Sequence, residues 1–311
     1  MTAVFIDTVH PVLWQRLTEA GYQCVAAYHL NREELKQQCA SARGIVIRSR
    51  IQLDRDFLQH CSGLKWIARS GAGMENIDVT FASSKGIHCI NSPEGNQDAV
   101  GEQAVGMLLM LFNNLCRADK EVRQGIWNRE ENRGIELAGK TVGIIGYGNM
   151  GRAFAKKLQG FDCHVLAHDK YQSGFGHGHV HEVGLDGIQE MADVVSLHLP
   201  LTTETRYYVD DAFVNECKKP FFLINTSRGP VLKTQALLNG LGSGKILGAC
   251  LDVLEFEQFN FEKLRSEDLP EDFRQLIRSE KVLLSPHIAG WTHESYFKLS
   301  NVLADKILAE P

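Results

Sequence analysis

The segment KTVGIIGYGNMGRAFAKKL, residues 140–158, constrains the fold of this chain more than any other stretch. An apolar run over 142–145 leads into Gly146, Gly148 and Gly151 at G-x-G-x-x-G spacing, and a helical segment follows. The first glycine permits a tight turn, the second lets a pyrophosphate approach the backbone, and the third lets the helix pack close to the strand. Free N–H groups at the start of such a helix attract phosphate charge. The pattern predicts the first βα turn of a dinucleotide-binding Rossmann sheet.

An acidic residue stands where such a sheet requires one. Asp169 ends the apolar stretch CHVLAHD, about 20 residues after the glycine-rich turn. A carboxylate at that position binds the adenine-ribose hydroxyls and repels a 2′-phosphate. We therefore expect the cofactor to be NAD rather than NADP.

The rest of the chain alternates between apolar strands and amphipathic helices. Before the glycine-rich turn the predicted strands are AVFID, CVAAY, GIVIRS, LKWIARSG and IHCIN; after it, predicted strands end at Ile145, Ala167, Leu197, Ile224, Leu251 and Leu284. Alternation of this kind predicts βαβ units and parallel sheets. Residues 93–125 have helical spacing and are predicted as one long helix joining the two series. We expect an α/β fold of two doubly wound parallel-sheet lobes, one flavodoxin-like and one an NAD-binding Rossmann lobe.

Composition excludes several classes of function. The 311 residues are 44% hydrophobic and 23% charged with a net charge of −5, which indicates a globular protein and argues against a nucleic-acid surface. The sequence shows neither an apolar run of membrane-spanning length nor a signal peptide, and its eight cysteines are scattered outside any C-x-x-C pair. We therefore expect a cytoplasmic protein without a membrane partner. His177, His179 and His181 alternate, but no cysteine or carboxylate set accompanies them, so no metal site is expected.

Polar residues follow three of the predicted strands in the second half of the chain. Arg228 follows FFLIN, Asp252 ends ILGACL, and His287 follows VLL. Since ligands of open parallel sheets bind beyond the carboxyl ends of the strands, these side chains are expected at one edge. Each alone would more often be structural. Together they offer a cation for a substrate carboxylate, a carboxylate, and an imidazole that changes charge near neutral pH.

The order of the motifs GYGNMG, HD, LHLPLTTETR, INTSRG, LDVLEFE and SPHIAG resembles that of the D-isomer-specific 2-hydroxyacid dehydrogenases over nearly the whole chain. The segments IVIRSRIQLD, ARSGAGMENID and NSPEGN are most similar to the 3-phosphoglycerate dehydrogenase branch. The resemblance implies a substrate-binding domain of residues 1–94 and 291–311 and an NAD-binding domain of residues 95–290. It also implies an oxidoreductase that transfers a hydride between NAD(H) and a D-2-hydroxy acid or its 2-keto acid, and a homodimer through the 94–125 region.

The resemblance also assigns roles to individual residues. Arg228 matches the arginine that holds the substrate's carboxylate and carbonyl oxygen, Glu257 the glutamate paired with the catalytic histidine, and His287 the acid/base. Cofactor contacts are implied for Ala72, Gly146, Gly148, Asn149, Met150, Gly151, Asp169, His198, Leu199, Pro200, Thr226, Ser227, Asp252 and Gly290. Substrate contacts are implied for Arg48, Arg50, Gly71, Ala72, Gly73 and Arg228.

Two departures from the family pattern leave the partner of the catalytic histidine open. The family usually has Pro after the catalytic glutamate, whereas Gln258 stands here, and about thirty residues separate Glu257 from His287, so Glu255 is a rival partner for the histidine. The sequence does not fix the substrate. A glyoxylate or hydroxypyruvate reductase is the nearest alternative to the 3-phosphoglycerate dehydrogenase branch, because only the substrate loop decides between them. Corepressor relatives share the fold and the Arg/Glu/His set yet act by binding proteins, and formate dehydrogenases place Gln beside the histidine, against which Glu257 argues.

Overall fold

The computed structural model describes residues 1–257 and 270–309, which divide into two compact units. The first unit comprises Met1–Gln97 and residues 291–309, and the second comprises Asp98–Glu257 and residues 270–290. Gln258 and the last two residues of the expected substrate-binding domain lie outside the described residues.

The first unit is built on a parallel sheet. Its strands are β1 (Thr2–Phe5), β2 (Gln23–Ala26), β3 (Gly44–Ile47), β4 (Trp66–Arg69) and β5 (His88–Asn91). Within residues 1–257 and 270–309 this sheet has five strands in the order β2-β1-β3-β4-β5, and each neighbouring pair is parallel. The order is the flavodoxin-like one, which confirms the lobe predicted from the alternating pattern.

The helices of the first unit begin where the sequence supplies caps. They are α1 (Pro11–Glu19), α2 (Arg32–Cys39), α3 (Arg55–Leu58), α4 (Val79–Ser84) and the last helix of the chain, α12 (His293–Ala309). Asn31 accepts N–H bonds at the start of α2 while Glu34 bonds back to the Asn31 N–H, a reciprocal capping box. The buried side of α12, including Leu303, packs into the same core as Phe5 and Val46. The C-terminal helix thus belongs to the core of the first unit, although most of the chain lies between them in sequence.

The second unit holds a larger parallel sheet. Its strands are β6 (Thr141–Ile145), β7 (His164–His168), β8 (Val180–Glu182), β9 (Val194–Leu197), β10 (Phe221–Asn225), β11 (Ile246–Leu251) and β12 (Val282–Leu284). In the described part of the chain the order is β12-β11-β10-β9-β6-β7-β8 across seven strands. Counted from β6, this is the Rossmann order 3-2-1-4-5-6 with one strand added, and the strand order reverses at β6. Four of the predicted strand ends, including Ile145 and Leu251, coincide with the last residue of the observed strand. Strands β7 and β10 each extend one residue beyond the predicted end.

The remaining helices cover this sheet, and one of them departs from the prediction. They are α5 (Gln97–Phe112), α6 (Leu115–Arg123), α7 (Asn149–Leu158), α8 (Leu185–Met191), α9 (Asp211–Glu216), α10 (Thr234–Ser243) and α11 (Glu271–Arg278). The single long helix predicted over 93–125 is wrong, because the chain breaks between α5 and α6. Asn114 has a φ of 52°, in the left-handed region that asparagine tolerates better than most residues. The Phe112 carbonyl instead accepts an N–H bond from Ile135 at 3.0 Å, where the chain returns to the end of α5. The apolar spacing continues across the break, so the sequence pattern did not reveal it.

Across the described ranges, none of the helices combines the length and the apolar character needed to cross a membrane.

Candidate active site

The glycine-rich turn has the shape that a bound pyrophosphate requires. Gly146 has a φ of +92°, and a Cβ there would lie 2.5 Å from the His198 carbonyl oxygen. A Cβ on Gly151 would lie 2.1 Å from the Gly146 carbonyl oxygen, whereas one on Gly148 would meet no atom within 4 Å. Helix α7 starts after Gly148 without a side-chain cap, so its first N–H groups are available to a ligand. The turn therefore fits a phosphate group held by backbone donors.

Asp169 lies directly after β7 and beside this turn. Its carboxylate accepts N–H bonds from Tyr147 at 2.8 Å, Tyr171 at 2.9 Å and Gln172 at 3.1 Å. These bonds fix the carboxylate next to the glycine-rich segment, at the place where the ribose of a dinucleotide is expected.

Two buried polar atoms at neighbouring strand ends have no hydrogen-bond partner among the residues described. They are Nδ1 of His198, after β9, and Oγ1 of Thr226, after β10. The other ring nitrogen of His198 lies 2.9 Å from Oγ of Ser196, and burial lowers the pKa of the imidazole from 6.5 to about 3. Buried polar atoms normally find partners, so unsatisfied ones at this edge fit a site completed by a bound cofactor.

The other residues expected to contact the cofactor lie at the same edge of the second sheet, with one exception. Each follows the carboxyl end of a parallel strand: Asn149 and Met150 after β6, Leu199 and Pro200 after β9, Ser227 after β10, Asp252 after β11 and Gly290 after β12. The exception, Ala72, belongs to the first unit, where it follows β4.

His287 is hydrogen-bonded to Glu257. Its Nδ1 lies 2.8 Å from Oε2 of Glu257, and the two side chains are 25% and 22% exposed. The second oxygen of Glu257 accepts the Leu254 N–H at 2.5 Å. An ionised carboxylate can accept hydrogen bonds but cannot donate them. The proton of this hydrogen bond is therefore on Nδ1, and Nε2 is the basic nitrogen of the ring.

Glu255 is engaged elsewhere. Its carboxylate accepts a bond from the Tyr207 hydroxyl at 2.7 Å and one from the Thr234 N–H at 2.9 Å. These bonds tie the loop after β11 to the start of α10. Of the two glutamates that the sequence left open, the structure brings Glu257 to the imidazole.

Arg228 is held by a close backbone approach. A Cβ on Gly229 would lie 1.9 Å from the Leu254 carbonyl oxygen, so only glycine lets the loop after β10 lie against the loop that carries Glu257. Nδ2 of Asn225 donates to the Arg228 carbonyl at 3.0 Å, and Nη1 of Arg228 donates to the Ser227 carbonyl at 2.7 Å. Since β10, β11 and β12 are adjacent, Arg228, Glu257 and His287 all follow neighbouring strands at one edge.

The two arginines of the first unit that were expected to bind substrate make different contacts. The guanidinium of Arg50 donates to the carbonyls of Ile6, Leu30 and Ala27 at 2.8–3.0 Å, and so ties together the loops after β1 and β2. The guanidinium of Arg48 instead stacks on the ring of Trp291, 4.3 Å from its centroid, and burial lowers the pKa of Arg48.

Sequence reasoning missed two residues at the carboxyl edge of the first sheet. Trp291, 63% exposed, follows the SPHIAG motif directly, and its exposure was the property that the sequence could not show. Arg69 ends β4, and a Cβ on Gly71 would lie 1.6 Å from its Nη1, so this guanidinium lies against the backbone at Gly71. A charged residue at the end of an apolar strand was the available signal for Arg69.

Two of the three alternating histidines contact backbone carbonyls. Nδ1 of His177 lies 2.7 Å from the Phe175 carbonyl, and Nε2 of His179 lies 2.8 Å from the Ala155 carbonyl. Over the described ranges, 1–257 and 270–309, His, Cys, Asp and Glu side chains form no group able to hold a metal ion.

Comparison with known proteins connects this geometry to a family. Residues 105–289 match the family model described as D-isomer specific 2-hydroxyacid dehydrogenase, NAD binding domain. The chain is 33% identical over 288 residues to a hydroxypyruvate reductase of Thermotoga maritima, which covers 92% of this chain and 90% of the relative. It is 30% identical over 303 residues to a D-3-phosphoglycerate dehydrogenase of Rattus norvegicus, covering 96% of this chain but 54% of the relative, so the chain spans about half the length of that protein.

A similar solved structure is the D-lactate dehydrogenase of Aquifex aeolicus complexed with NAD and lactic acid. It shares 25% identity with a TM-score of 0.81, and the match covers 99% of this chain and 95% of that one. The family model spans more than half of the chain and contains the glycine-rich turn, Asp169 and the Arg228, Glu257 and His287 positions. The chain therefore belongs to the D-isomer specific 2-hydroxyacid dehydrogenases, NAD-dependent oxidoreductases that act on CH–OH groups, and its cofactor is NAD.

Proposed function

We propose that this enzyme interconverts a D-2-hydroxy acid and its 2-keto acid, that His287 is its acid/base, and that the substrate carries a second negative charge, as 3-phosphoglycerate does. The observation that carries the proposal is the 2.8 Å hydrogen bond between Nδ1 of His287 and Glu257. This bond fixes the tautomer in which Nε2 is the basic nitrogen, and Nε2 is the atom proposed to exchange a proton with the substrate hydroxyl.

The proton chemistry follows from this pair. When the substrate is oxidised, Nε2 of His287 accepts the hydroxyl proton, and the resulting imidazolium is stabilised by the Glu257 carboxylate. In reduction, the imidazolium returns that proton to the oxygen. Bound NAD supplies the hydride acceptor, which is chemistry that no side chain provides.

Arg228 is proposed to hold the substrate carboxylate and to oppose the charge that develops on the reacting oxygen. Its planar guanidinium can bind a carboxylate through two parallel N–H bonds. The close contact at Gly229 fixes the loop that carries it, and a preorganised donor costs little reorganisation when charge develops.

The proposed substrate class rests on the first unit. Arg48 is the better candidate to bind the far end of the substrate. The guanidinium nitrogens of Arg50 already donate to three carbonyls, whereas the Arg48 guanidinium is stacked on Trp291. The backbone N–H groups of residues 71–73 are proposed to bind an anion, and the Arg69 guanidinium lies against this segment at Gly71. A substrate with charge at both ends suits these groups.

A second candidate substrate is hydroxypyruvate or glyoxylate. The observation that favours it is sequence similarity, since the chain is 33% identical to the Thermotoga hydroxypyruvate reductase and 30% identical to the rat phosphoglycerate dehydrogenase. The same His287, Glu257 and Arg228 would serve that reaction, and only the far end of the substrate would differ.

We also propose a homodimer, and the exposed apolar side chains that follow α5 support a contact in this part of the chain. Eight residues of α5 are buried in the second unit, whereas α6 has no buried residue along its described length, 115–123. Leu115 and Val122 on α6 are 49% and 52% exposed, and Trp127 beyond it is 79% exposed. Light scattering after gel filtration would show twice the chain mass, and Trp127→Glu would lower it. A monomer at all concentrations refutes this assembly.

The function is tested by turnover with NADH and a panel of keto acids, including 3-phosphohydroxypyruvate, hydroxypyruvate and glyoxylate. We expect kcat/KM to be highest for the phosphorylated acid. A preference for hydroxypyruvate or glyoxylate would select the second candidate, and no turnover with any keto acid would reject both.

The catalytic pair is tested by matched variants. Glu257→Gln removes the charge beside His287 and should lower kcat and move the pH–rate profile, because the imidazolium loses its anionic partner. Glu255→Gln removes a carboxylate two residues away that bonds Tyr207 and Thr234, and should leave the profile in place. The opposite pattern would assign the partner role to Glu255.

A further inference from the structure

The loop after β3, residues 48–51, is held by a side chain that follows the neighbouring strand β1. Asp7 lies two residues beyond the end of β1, and β1 pairs with β3, so the carboxyl ends of these strands meet at one edge of the first sheet. Oδ2 of Asp7 accepts the N–H groups of Arg48 at 2.6 Å, Ser49 at 3.1 Å and Arg50 at 3.3 Å. Consecutive N–H groups that converge on one anionic oxygen form a backbone nest. The conformation of this loop therefore depends on a carboxylate from outside it.

The carbonyl groups of the same loop also have partners. Nδ2 of Asn76, a residue that is 4% exposed, donates to the Arg48 carbonyl at 3.0 Å and to the Ile51 carbonyl at 3.3 Å. The guanidinium of Arg50 donates to three carbonyls of other segments and so anchors the loop a third time. Because its backbone is held in this way, the loop fixes the position from which the Arg48 side chain extends to stack on Trp291.

We propose that Asp7 is a positioning residue for substrate recognition, which holds residues 48–50 in the conformation that places the Arg48 guanidinium on Trp291 and so determines how tightly the enzyme binds the far end of its substrate. The inference rests on the proposed function, in which Arg48 binds that end. The Asp7 side chain is 13% exposed. An ionised carboxylate cannot donate a hydrogen bond to an anionic group and repels it. Asp7 therefore favours the binding of such a group through the loop that it holds.

The charge of Asp7 and its hydrogen bonds affect anion binding in opposite directions. Burial lowers the pKa of Arg48 and the charge of Asp7 opposes that shift, so the two side chains interact electrostatically. If the charge is the main effect, removing it strengthens the field of Arg48 and tightens the binding of an anion. If the hydrogen bonds are the main effect, removing them weakens binding, because a loop that is not fixed loses more conformational entropy when it binds. A neutral side chain that still accepts hydrogen bonds separates the two effects.

The test compares Asp7→Ala with Asp7→Asn in the NADH-dependent reduction of the keto acid that the unmodified protein reduces best. Asp7→Ala removes the acceptor and should raise KM about 10-fold, the effect of losing one charge-assisted contact. We expect kcat to change little, because Arg48 is proposed to contact a part of the substrate that does not react. Asp7→Asn keeps an oxygen that can accept the loop N–H groups and should raise KM less.

Hydrogen exchange reports on the loop itself. Exchange of the peptide that covers residues 48–51 should accelerate strongly in Asp7→Ala and weakly in Asp7→Asn. A lower KM in both variants would show that the charge of Asp7 dominates and would overturn the proposal. Unchanged exchange in Asp7→Ala would overturn it as well, and so would faster exchange with an unchanged KM.

Two further variants keep the test decisive. Asn76→Ala removes the bonds to the Arg48 and Ile51 carbonyls, and should raise KM and accelerate exchange in the same peptide even if Asp7→Ala does not fold. An unchanged KM in Asn76→Ala would refute the proposal, because binding would then not depend on the loop. Asp78→Ala is the matched control: it removes a carboxylate of the first unit that accepts the Phe81 N–H at 2.9 Å, and should leave KM and this exchange unchanged. Equal effects in Asp78→Ala would show a general loss of stability and would also refute the proposal.

Failure of the proposed function gives a different result. If the unmodified protein reduces no keto acid, the proposed function fails, and exchange over residues 48–51 decides whether Asp7 holds the loop. Faster exchange in Asp7→Ala but not in Asp78→Ala would retain the positioning contact, and unchanged exchange would remove it.

Discussion

His198→Gln should make the protein less sensitive to acid. In the unmodified chain the imidazole packs against Phe154, with Nε2 near Oγ of Ser196 and a buried Nδ1 that has no partner in the described residues. Burial disfavours the charged form, which lowers the pKa of His198 to about 3. Glutamine keeps a polar group within reach of the Ser196 hydroxyl but does not titrate.

The size of the effect follows from proton linkage. The unfolded imidazole binds a proton below pH 6.5, whereas the folded one stays neutral until about pH 3. The unfolded state therefore binds more protons in this window, and stability is lost as pH falls from 6.5 toward 3. Between pH 7 and pH 5 this single group should cost about 2 kcal/mol, and any folded value below about 4 gives the same result.

Two measurements check this expectation. Urea unfolding of both proteins at pH 7 and pH 5 should show that His198→Gln avoids about 2 kcal/mol of the loss seen in the unmodified protein. Imidazole NMR should show His198 still neutral at pH 5. His164→Gln, which changes an exposed ring, is the control and should leave the acid sensitivity unchanged. Equal acid sensitivity of His198→Gln and the unmodified protein, or a His198 signal that titrates between pH 5 and 8, would refute the reasoning.

Three other predictions concern the cofactor, the acid/base and the substrate. Asp169→Ser should narrow the preference for NADH over NADPH, measured as the ratio of their Kd values; equal affinities in the unmodified protein would remove the reason for the prediction. His287→Asn should lower kcat by about 10²–10⁴-fold while NADH affinity and melting temperature hold, and a destabilised variant that keeps its turnover would mean that the imidazole is architectural. Trp291→Ala should raise KM for the phosphorylated keto acid several-fold, because the stacked ring is worth about 1 kcal/mol to Arg48, while Trp291→Phe should largely keep it. An unchanged KM in the alanine variant would remove Arg48 and Trp291 from the proposed substrate contacts.

Some features of this protein were determined by its sequence alone. The strand before Gly146 and the glycine spacing after it predicted the Rossmann turn, because backbone conformation there depends on residues a few positions apart. The alternation of apolar and amphipathic segments predicted both parallel sheets for the same local reason. The order of motifs pointed to the family without any coordinates.

Other features were decided only by tertiary structure. Helix α5 ends at Phe112, where the Phe112 carbonyl accepts a hydrogen bond from the Ile135 N–H. Helical spacing in the sequence does not encode this long-range contact. Arg48 and Arg50 stand two residues apart with the same charge, yet one stacks on Trp291 and the other binds three carbonyls.

The contacts of the carboxylates around His287 were also decided by tertiary structure rather than by the sequence pattern. The motif match favoured Glu257 and kept Glu255 as a rival. The turn after β11 directs Glu255 toward Tyr207 and Thr234 and Glu257 toward the imidazole. Asp252 reaches a loop more than thirty residues away because β11 and β12 are paired in the sheet. Local patterns fix strands, turns and motifs, since they depend on neighbours in the chain. The partner of each polar side chain depends on residues that only the folded sheet brings together.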